Sequence, residues 1–213
     1  MTDTVKLVWA TPDAEKLLMY MARVSNPGNQ ESDNTKLIKY LIQHKHWSPF
    51  EMINACVEIN TTRDIGRQIL RHRSFSYQEF SQRYAKPSEL EFSDLRELRL
   101  QDTKNRQNSI SVDNPEFEFW WYNKQRDLRD QALDIYREAI ERGVAKEQAR
   151  CVLPEGLTMS RMYMSGSLRS WIHYINVRTD PSTQKEHRLI AQSIREILTK
   201  EFPSTMKAIN EVS

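Results

Sequence analysis

The sequence predicts an α+β fold, a helix-rich single domain of residues 1–213 with a small central β-sheet. Apolar residues recur at helical spacing over most of the chain, and the few strand-like stretches are not regularly interleaved with helices. A length of 213 residues matches one medium-sized domain that can bury a core. None of the five glycines forms a G-x-G pair, so neither a Rossmann fingerprint nor a P-loop is present and a non-Rossmann fold is expected.

The first sixty residues predict two strands separated by two helices. Val5–Trp9 is a short apolar stretch typical of an edge strand. Thr11-Pro12 is typical of an N-cap followed by proline at the first helical position, and we expect that helix to run through Val24. Apolar residues then repeat at helical spacing over 35–44, and apolar and polar residues alternate over 53–60, which predicts a second helix and a strand.

The middle of the chain predicts one helix and one irregular stretch. Thr62 can cap a helix that carries Gln68 and Arg71 towards the motif described below. Residues 88–114 are polar and aperiodic, so a loop-rich, variable segment is expected there.

The C-terminal half is predicted to be mainly helical. A long helix is expected over 115–142, with Gly143 just past its end, and a short helix over 145–152 is stopped by Pro154. The remaining expected elements are a strand at 157–164 and helices at 167–177 and 182–202.

Charge and composition exclude several classes of protein. The net charge of +2 is too small for a nucleic-acid coat, and no apolar run approaches the roughly 20 residues that span a bilayer, so we expect neither a nucleic-acid nor a membrane partner. Two cysteines, Cys56 and Cys151, make no disulfide framework. We also see no signal-peptide pattern, and these features together indicate a reducing, cytoplasmic setting.

The segment from Arg71 to Tyr84, RHRSFSYQEFSQRY, is the most informative part of the chain. It combines guanidinium groups that fork onto phosphates with a carboxylate and hydroxyls that bond sugars and anions. Such a density of polar groups is costly to bury unless a polar, anionic ligand satisfies them. The segment therefore predicts a nucleotide pocket.

Two other interpretations of this segment, and one of residues that precede it, are also considered. Arginines alternate with Phe75, Tyr77, Phe80 and Tyr84, which is also compatible with an RNA- or single-stranded-DNA-binding module. A helical scaffold with a salt-bridged arginine cluster is the plainer alternative. A metal site at His44, His46 and Cys56 is disfavoured because the spacing fits no zinc pattern.

The order of residues resembles the RHR-x7-S motif of flavin-dependent thymidylate synthases, with Arg71-His72-Arg73 followed by Ser81. Further blocks are similar to the same family: Ala22–Ser25, His46–Glu51, Ala149–Pro154 and Ser167–Arg178. Two positions depart from its usual pattern, because Gln78 replaces an asparagine and Ser182 replaces a histidine that contacts flavin.

The resemblance implies an enzyme that makes dTMP from dUMP, with FAD as cofactor and NADPH and methylenetetrahydrofolate as co-substrates. It also implies a homotetramer whose active sites are shared between subunits, a FAD site without a Rossmann domain, and no metal. Arg178 is expected to activate the uracil. The dUMP-binding positions implied are Gln68, Arg71, Glu79, Ser81, Gln82, Arg83, Arg150 and Arg178. Those implied for FAD are Ser25, Ser48, Glu51, Arg71, His72, Arg73, Glu79, Ser167, Arg169 and His173, with His46 and Tyr84 near folate and flavin.

Overall fold

A computed structural model describes residues 4–84 and 90–212 of the chain. Residues 88 and 89 of the expected loop-rich segment lie outside the described residues. The strands are β1 (Thr4–Ala10), β2 (Asn54–Thr62), β3 (Ser76–Glu79), β4 (Arg99–Gln101), β5 (Ser109–Ser111) and β6 (Met159–Ser167). The helices are α1 (Ala14–Ala22), α2 (Lys36–Gln43), α3 (Arg63–Ile69), α4 (Pro115–Glu141), α5 (Lys146–Ala149), α6 (Leu168–Arg178), α7 (Lys185–Glu201) and α8 (Pro203–Val212).

A four-stranded antiparallel sheet in the order β1-β2-β6-β3 forms the centre of the fold. The two inner strands pair along their whole length, from Asn54 opposite Ser167 to Thr62 opposite Met159. The prediction of a helix-rich α+β fold with a small sheet is confirmed, as is the edge position of β1. Because α3 follows β2 directly and α6 follows β6 directly, the ends of these two strands fix where the two helices leave the sheet.

The main core packs helices against this sheet. Its largest fully buried side chains include Trp171 and Tyr174 of α6, Phe50, and Phe202 at the end of α7. A smaller cluster of Tyr136, Ala149 and Leu153 joins α4 to α5. Most of α4 is left outside both cores, so that large apolar side chains on it remain exposed: Phe119, Trp120, Tyr122, Leu128 and Ile135.

Both ends of α4 are capped, and the helix ends where Gly143 predicts it. The Asn114 side chain accepts a hydrogen bond from the backbone N–H of Phe117 at 3.1 Å, which starts α4. Gly143 has a φ of 85° just after α4, a conformation that favours glycine. No helix among residues 4–84 and 90–212 is long and apolar enough to cross a membrane.

The predicted start of the first helix is wrong. Thr11 does not cap α1, because its hydroxyl is used across the chain, where it bonds the backbone of Asn54 at 3.0 and 3.2 Å. The helix begins two residues later than predicted, at Ala14 after Asp13, and ends at Ala22 before Val24.

The C-terminal and central expectations also need correction. The chain does not stop being helical at Phe202, because Pro203 occupies the first turn of a further helix, α8, where a proline is tolerated. The described part of the loop-rich segment contains a short hairpin of β4 and β5. The strand expected at 157–164 lies at Met159–Ser167. Part of the RHR-x7-S segment, for which no strand was predicted, forms the edge strand β3.

Candidate active site

Two sequence motifs that lie far apart in the chain meet at one hydrogen bond. Arg178, the last residue of α6, donates from Nε to Nε2 of His72, in the loop after α3, at 2.8 Å. Burial, together with the positive charge of Arg178 and with His173, lowers the pKa of His72 to about 4. The imidazole is therefore neutral near pH 7, and its bare Nε2 can accept this bond. Among the described residues, no hydrogen bond or ion pair engages the two terminal nitrogens of Arg178, which are left for a ligand.

Behind this contact lies a buried polar chain. The ring of His72 packs edge-on against Tyr174, with ring centroids 4.8 Å apart. The Tyr174 hydroxyl lies 3.0 Å from Nε2 of His187, and Nδ1 of His187 lies 3.3 Å from the side-chain oxygen of Gln68. Gln68 in turn donates to Gln184 at 2.7 Å. These hydrogen bonds, with the ring contact between His72 and Tyr174, join the predicted site residues Gln68 and His72 through Tyr174 and His187, which were not predicted as site residues.

A second group of predicted residues surrounds Glu51. Its carboxylate accepts from the Ser167 hydroxyl at 2.6 Å and from Arg169 at 2.8 Å. The Ser167 hydrogen bond, with the bond and charge of Arg169, outweighs burial and lowers the pKa of Glu51. Ser167 also caps α6 by accepting from the N–H of Ser170 at 3.4 Å. The sequence therefore places an ionised carboxylate beside an arginine at the start of α6.

These groups line a cleft of about 510 Å³. Trp47, Glu51, Ser74, Arg169, His173 and Asn176 contribute to its walls. The volume lies within the range of about 300–1,000 Å³ that is usual for small-molecule sites. An aromatic wall, a cationic side chain and several hydrogen-bonding groups suit a planar ring system that carries phosphates.

A third group lies beyond the other end of β3. Arg83 lies 3.7 Å from Glu147 of α5, and Lys146 donates to the backbone oxygen of Tyr84 at 3.4 Å. Arg150 follows Glu147 by three residues, which sets it on the same side of that turn. The Ser81 hydroxyl accepts from the N–H of Arg83 at 3.4 Å. The predicted residues Ser81, Arg83 and Arg150 therefore belong to one local region.

The strand β3 separates this region from the loop that carries His72. The N–H of Phe80 bonds the oxygen of Arg161 at 2.8 Å, whereas Phe75 packs directly on Gly166. Arg161 and Gly166 lie five positions apart on β6, which corresponds to about 17 Å of strand. A Cβ at Gly166 would lie only 2.8 Å from Cε1 of the Phe75 ring, so the absence of a side chain there lets the loop dock.

Two predicted residues, Glu79 and Gln82, have side chains that are at least partly buried. Glu79 accepts from the Ser160 hydroxyl at 2.8 Å and lies 3.7 Å from Arg63. The Gln82 side chain is buried, and its Nε2 atom has no hydrogen-bond partner among residues 4–84 and 90–212. A buried donor without a partner is costly, which makes this amide a candidate for a ligand contact.

The other predicted residues are exposed and have no side-chain hydrogen bond or ion pair within the described part of the chain: Ser25, His46, Ser48, Arg71, Arg73, His173 and Tyr84. Next to Ser25, the buried Arg23 was not predicted. Its guanidinium donates to the backbone oxygens of Ser32 at 2.5 Å and Met19 at 3.4 Å, and so ties the following loop to α1.

The geometry disfavours the three alternative interpretations. Phe75 is buried against Trp171, and the Tyr77 hydroxyl is occupied by backbone oxygens, so only Tyr84 of the four aromatic side chains is well exposed for base stacking. A salt-bridged cluster would pair its arginines, but Arg71 and Arg73 have no acidic partner in the described ranges. No group of three or more potential metal ligands occurs among those residues.

Tyr174 and His187 are the site residues that sequence reasoning missed. A signal for His187 was present, because it occupies the apolar stripe of α7 that continues with Ile190, Ile194 and Leu198. A histidine in such a stripe is either satisfied by a buried partner or functional. Nothing in the sequence marked Tyr174 as its partner, since that contact depends on how α6 packs on α7.

Comparisons with known proteins identify the family of this chain. The family model described as thymidylate synthase complementing protein matches residues 6–204. A probable flavin-dependent thymidylate synthase of Paramecium bursaria Chlorella virus 1 is 47% identical over 211 residues, which cover 98% of this chain and 96% of the relative. A flavin-dependent thymidylate synthase of Synechocystis sp. is 48% identical over 195 residues, which cover 92% of this chain and 89% of the relative.

A solved structure has the same fold. The UMP/dUMP methylase PolB of Streptomyces cacaoi, crystallised with 5-Br dUMP, superposes with a TM-score of 0.85. The match covers 98% of this chain and 95% of the other at 24% sequence identity. The fold described above is therefore one already seen by experiment.

Proposed function

This chain belongs to the family of flavin-dependent thymidylate synthases, and we propose that it makes dTMP from dUMP. In the proposed reaction methylenetetrahydrofolate donates a methylene to C5 of the uracil, and tetrahydrofolate is released. FAD, recharged by NADPH, supplies the hydride that completes the methyl group. The observation that carries the proposal is the hydrogen bond between Arg178 and His72, because it joins residues of two family-like motifs.

Arg178 is the proposed catalytic residue. Its two terminal nitrogens can donate to the N3/O2 edge of a uracil, where they stabilise negative charge on the ring and raise the electron density at C5. His72 supports this role, because it holds Nε and so fixes the direction of the guanidinium plane. A neutral His72 also adds no second positive charge beside Arg178.

The remaining dUMP contacts are proposed from both ends of β3. Gln68 and Arg71 lie near Arg178, whereas Ser81, Arg83 and Arg150 lie at the far end. Arginines at these positions suit the phosphate, since a guanidinium forks onto two of its oxygens. The unpaired amide of Gln82 and the carboxylate of Glu79 complete the proposed set.

The residues around the Glu51 cleft fit FAD. Arg169 can reach a pyrophosphate while it stays paired with Glu51, and His173 and Trp47 offer flat surfaces for a ring. We extend this site to further positions by the resemblance alone: Ser25, Ser48, Arg71, His72, Arg73, Glu79 and Ser167. His46 and Tyr84 are proposed to lie near the folate.

We propose that the enzyme is a homotetramer in which two subunits build each active site. The two groups of dUMP residues lie at opposite ends of β3, which supports completion of the site by a second copy. The exposed apolar side chains of α4 support burial in such an interface. We place the enzyme in the cytoplasm, because Cys56 and Cys151 are both free thiols.

Subunit complementation tests the shared site. Arg178→Ala and Arg83→Ala each remove one side of it, so each variant alone should lose most activity. Refolded mixtures of the two should regain activity at about a quarter of the sites, because random pairing restores one intact site in each mixed pair. If the mixture stays as inactive as its components, each site is built by one subunit.

Release of tritium from [5-³H]dUMP tests the reaction itself. The FAD-loaded protein should release tritium and form dTMP only when methylenetetrahydrofolate and NADPH are both present. A protein that neither binds FAD nor releases tritium would exclude the proposed activity, whereas FAD binding without tritium release would point to another flavin reaction.

A further inference from the structure

A series of buried and part-buried hydrogen bonds leads from an ion pair at the start of α7 to the candidate nucleotide site. Arg99 of β4 donates to Glu186, and Gln184 donates to the other carboxylate oxygen of Glu186 at 2.9 Å. Burial alone would raise the pKa of Glu186. The hydrogen bonds from Arg99, from the backbone and from Gln184 outweigh burial and hold this pKa below its usual range. Glu186 is therefore an ionised group that can only accept hydrogen bonds.

The negative charge of Glu186 determines which group donates in each of the following hydrogen bonds. Because Glu186 only accepts, Gln184 must turn its NH₂ group to Glu186 and its oxygen to Gln68. Gln68 must then turn its NH₂ group to Gln184, which leaves its oxygen to accept from Nδ1–H of His187. Nε2 of His187 is thereby bare, and the Tyr174 hydroxyl donates to it.

The last two members are among the most buried polar groups of the chain. His187 and Tyr174 are both fully buried, and burial, with the charge of Arg178 and with His72, lowers the pKa of His187 to about 3. A neutral His187 is the form that this hydrogen-bond direction requires. A flipped Gln68 amide would instead face oxygen to oxygen at Gln184 and N–H to N–H at His187, so the amide has one favourable orientation.

We propose that the Tyr174–His187 pair is a positioning unit that holds the Gln68 carboxamide in one orientation towards the uracil nucleotide. The Gln68 amide uses one N–H in its hydrogen bond to Gln184 and keeps a second N–H. Its half-buried side chain can present this second N–H to the substrate. The ring of Tyr174 also packs on His72, so the same pair supports the residue that aims Arg178. This inference rests on the proposed function, because it assigns a role in binding the substrate of that reaction.

Two substitutions at His187 separate positioning from simple stability. His187→Asn places an amide N–H where Nδ1 lies, so it keeps the bond to Gln68 and loses the bond to Tyr174. His187→Gln places an amide oxygen where Nε2 lies, so it keeps the bond to Tyr174 and loses the bond to Gln68. Each variant leaves one buried group unpaired, so their melting temperatures should fall by similar amounts.

The measurements are the Kd for dUMP by calorimetry on the FAD-loaded protein, and kcat and KM by tritium release. We expect His187→Gln, which loses the bond to Gln68, to raise the Kd and KM for dUMP about 5- to 10-fold with little change in kcat, and His187→Asn, which loses only the support of Tyr174, to raise them about 2- to 3-fold. Equal Kd values in the two variants would overturn the proposal.

If neither variant folds, Gln184→Met gives the same test from the half-buried end of the chain. It removes the acceptor for Gln68 and should also weaken dUMP binding about fivefold, while an unchanged Kd would overturn the proposal. Failure of the proposed function is distinguishable, because the wild-type protein would then release no tritium whatever the variants do to the Kd.

Discussion

Replacement of Arg178 by lysine tests the proposed chemistry most directly. The guanidinium of Arg178 does two things in this site: Nε is held by His72 at 2.8 Å, and the two terminal nitrogens are left for the uracil edge. A lysine ammonium keeps the charge but is a single point, so it cannot bond His72 and also present a planar pair of donors.

The size of the effect follows from the hydrogen bonds that lysine cannot make. At least one charge-assisted hydrogen bond to the ionising uracil disappears, at about 1.5–3 kcal/mol, which corresponds to a decrease in kcat of about 10- to 150-fold. FAD content should stay at the wild-type level, because Arg178 does not line the Glu51 cleft. Tritium release at saturating dUMP is the assay, with flavin absorbance as the check on loading.

Arg142→Lys is the matched control, since that exposed arginine pairs, within the described part of the chain, only with Glu138 one turn away and should tolerate the change. If Arg178→Lys retains kcat within twofold of the wild type with FAD bound, the uracil-activating role assigned to Arg178 is wrong.

Three further predictions concern a serine, the cysteines and pH. Ser81→Ala should weaken dUMP binding by about 1–3 kcal/mol, because it loses a ligand donor and not a nucleophile; a complete loss of turnover at saturating dUMP would contradict this. The Cys56→Ser/Cys151→Ala double variant should still release tritium, because the buried Cys56 has a raised pKa from desolvation and Arg178 suffices to activate the ring; a folded, FAD-loaded but inactive double variant would require a covalent cysteine. Because His187 has a pKa of about 3 in the folded chain and about 6.5 when unfolded, acidification from pH 7 to pH 5 protonates it mainly in the unfolded state, so His187 alone should lower the free energy of unfolding by about 2 kcal/mol. Urea titrations at both pH values should show this loss in the wild type and a smaller one in His187→Gln, and equal losses would contradict the buried neutral imidazole.

The sequence predicted the parts of the fold that depend on local patterns. The long helix α4 was predicted at 115–142, and Gly143 predicted its end, because helix capping is decided within a few residues. The start of α1 was mispredicted because Thr11 bonds Asn54, a partner that is 43 positions away. The predicted end of α7 near Phe202 was right, but the further helix α8 was missed because Pro203 starts a helix as readily as it stops one.

In the candidate site too, local patterns were predictable from the sequence and contacts between distant residues were not. The motif from Arg71 to Tyr84 identified the functional region, since its residue types and spacing are specific. The contact of Arg178 with His72 was not predictable from spacing, because it depends on the register of α6 against the loop after α3. Tyr174 and His187 lie in different helices, and their pairing is a property of helix packing.

The close packing of Phe75 on Gly166 has a genetic consequence. Any side chain at residue 166 would displace the Phe75 ring, and with it the loop in which His72 lies three residues earlier. Alleles that encode alanine or serine at this codon should therefore abolish thymidylate production although they change no ligand contact. In a complementation screen of a thymidine-requiring host, we expect such alleles to fail, and a second-site change of Phe75 to a smaller apolar residue to restore growth.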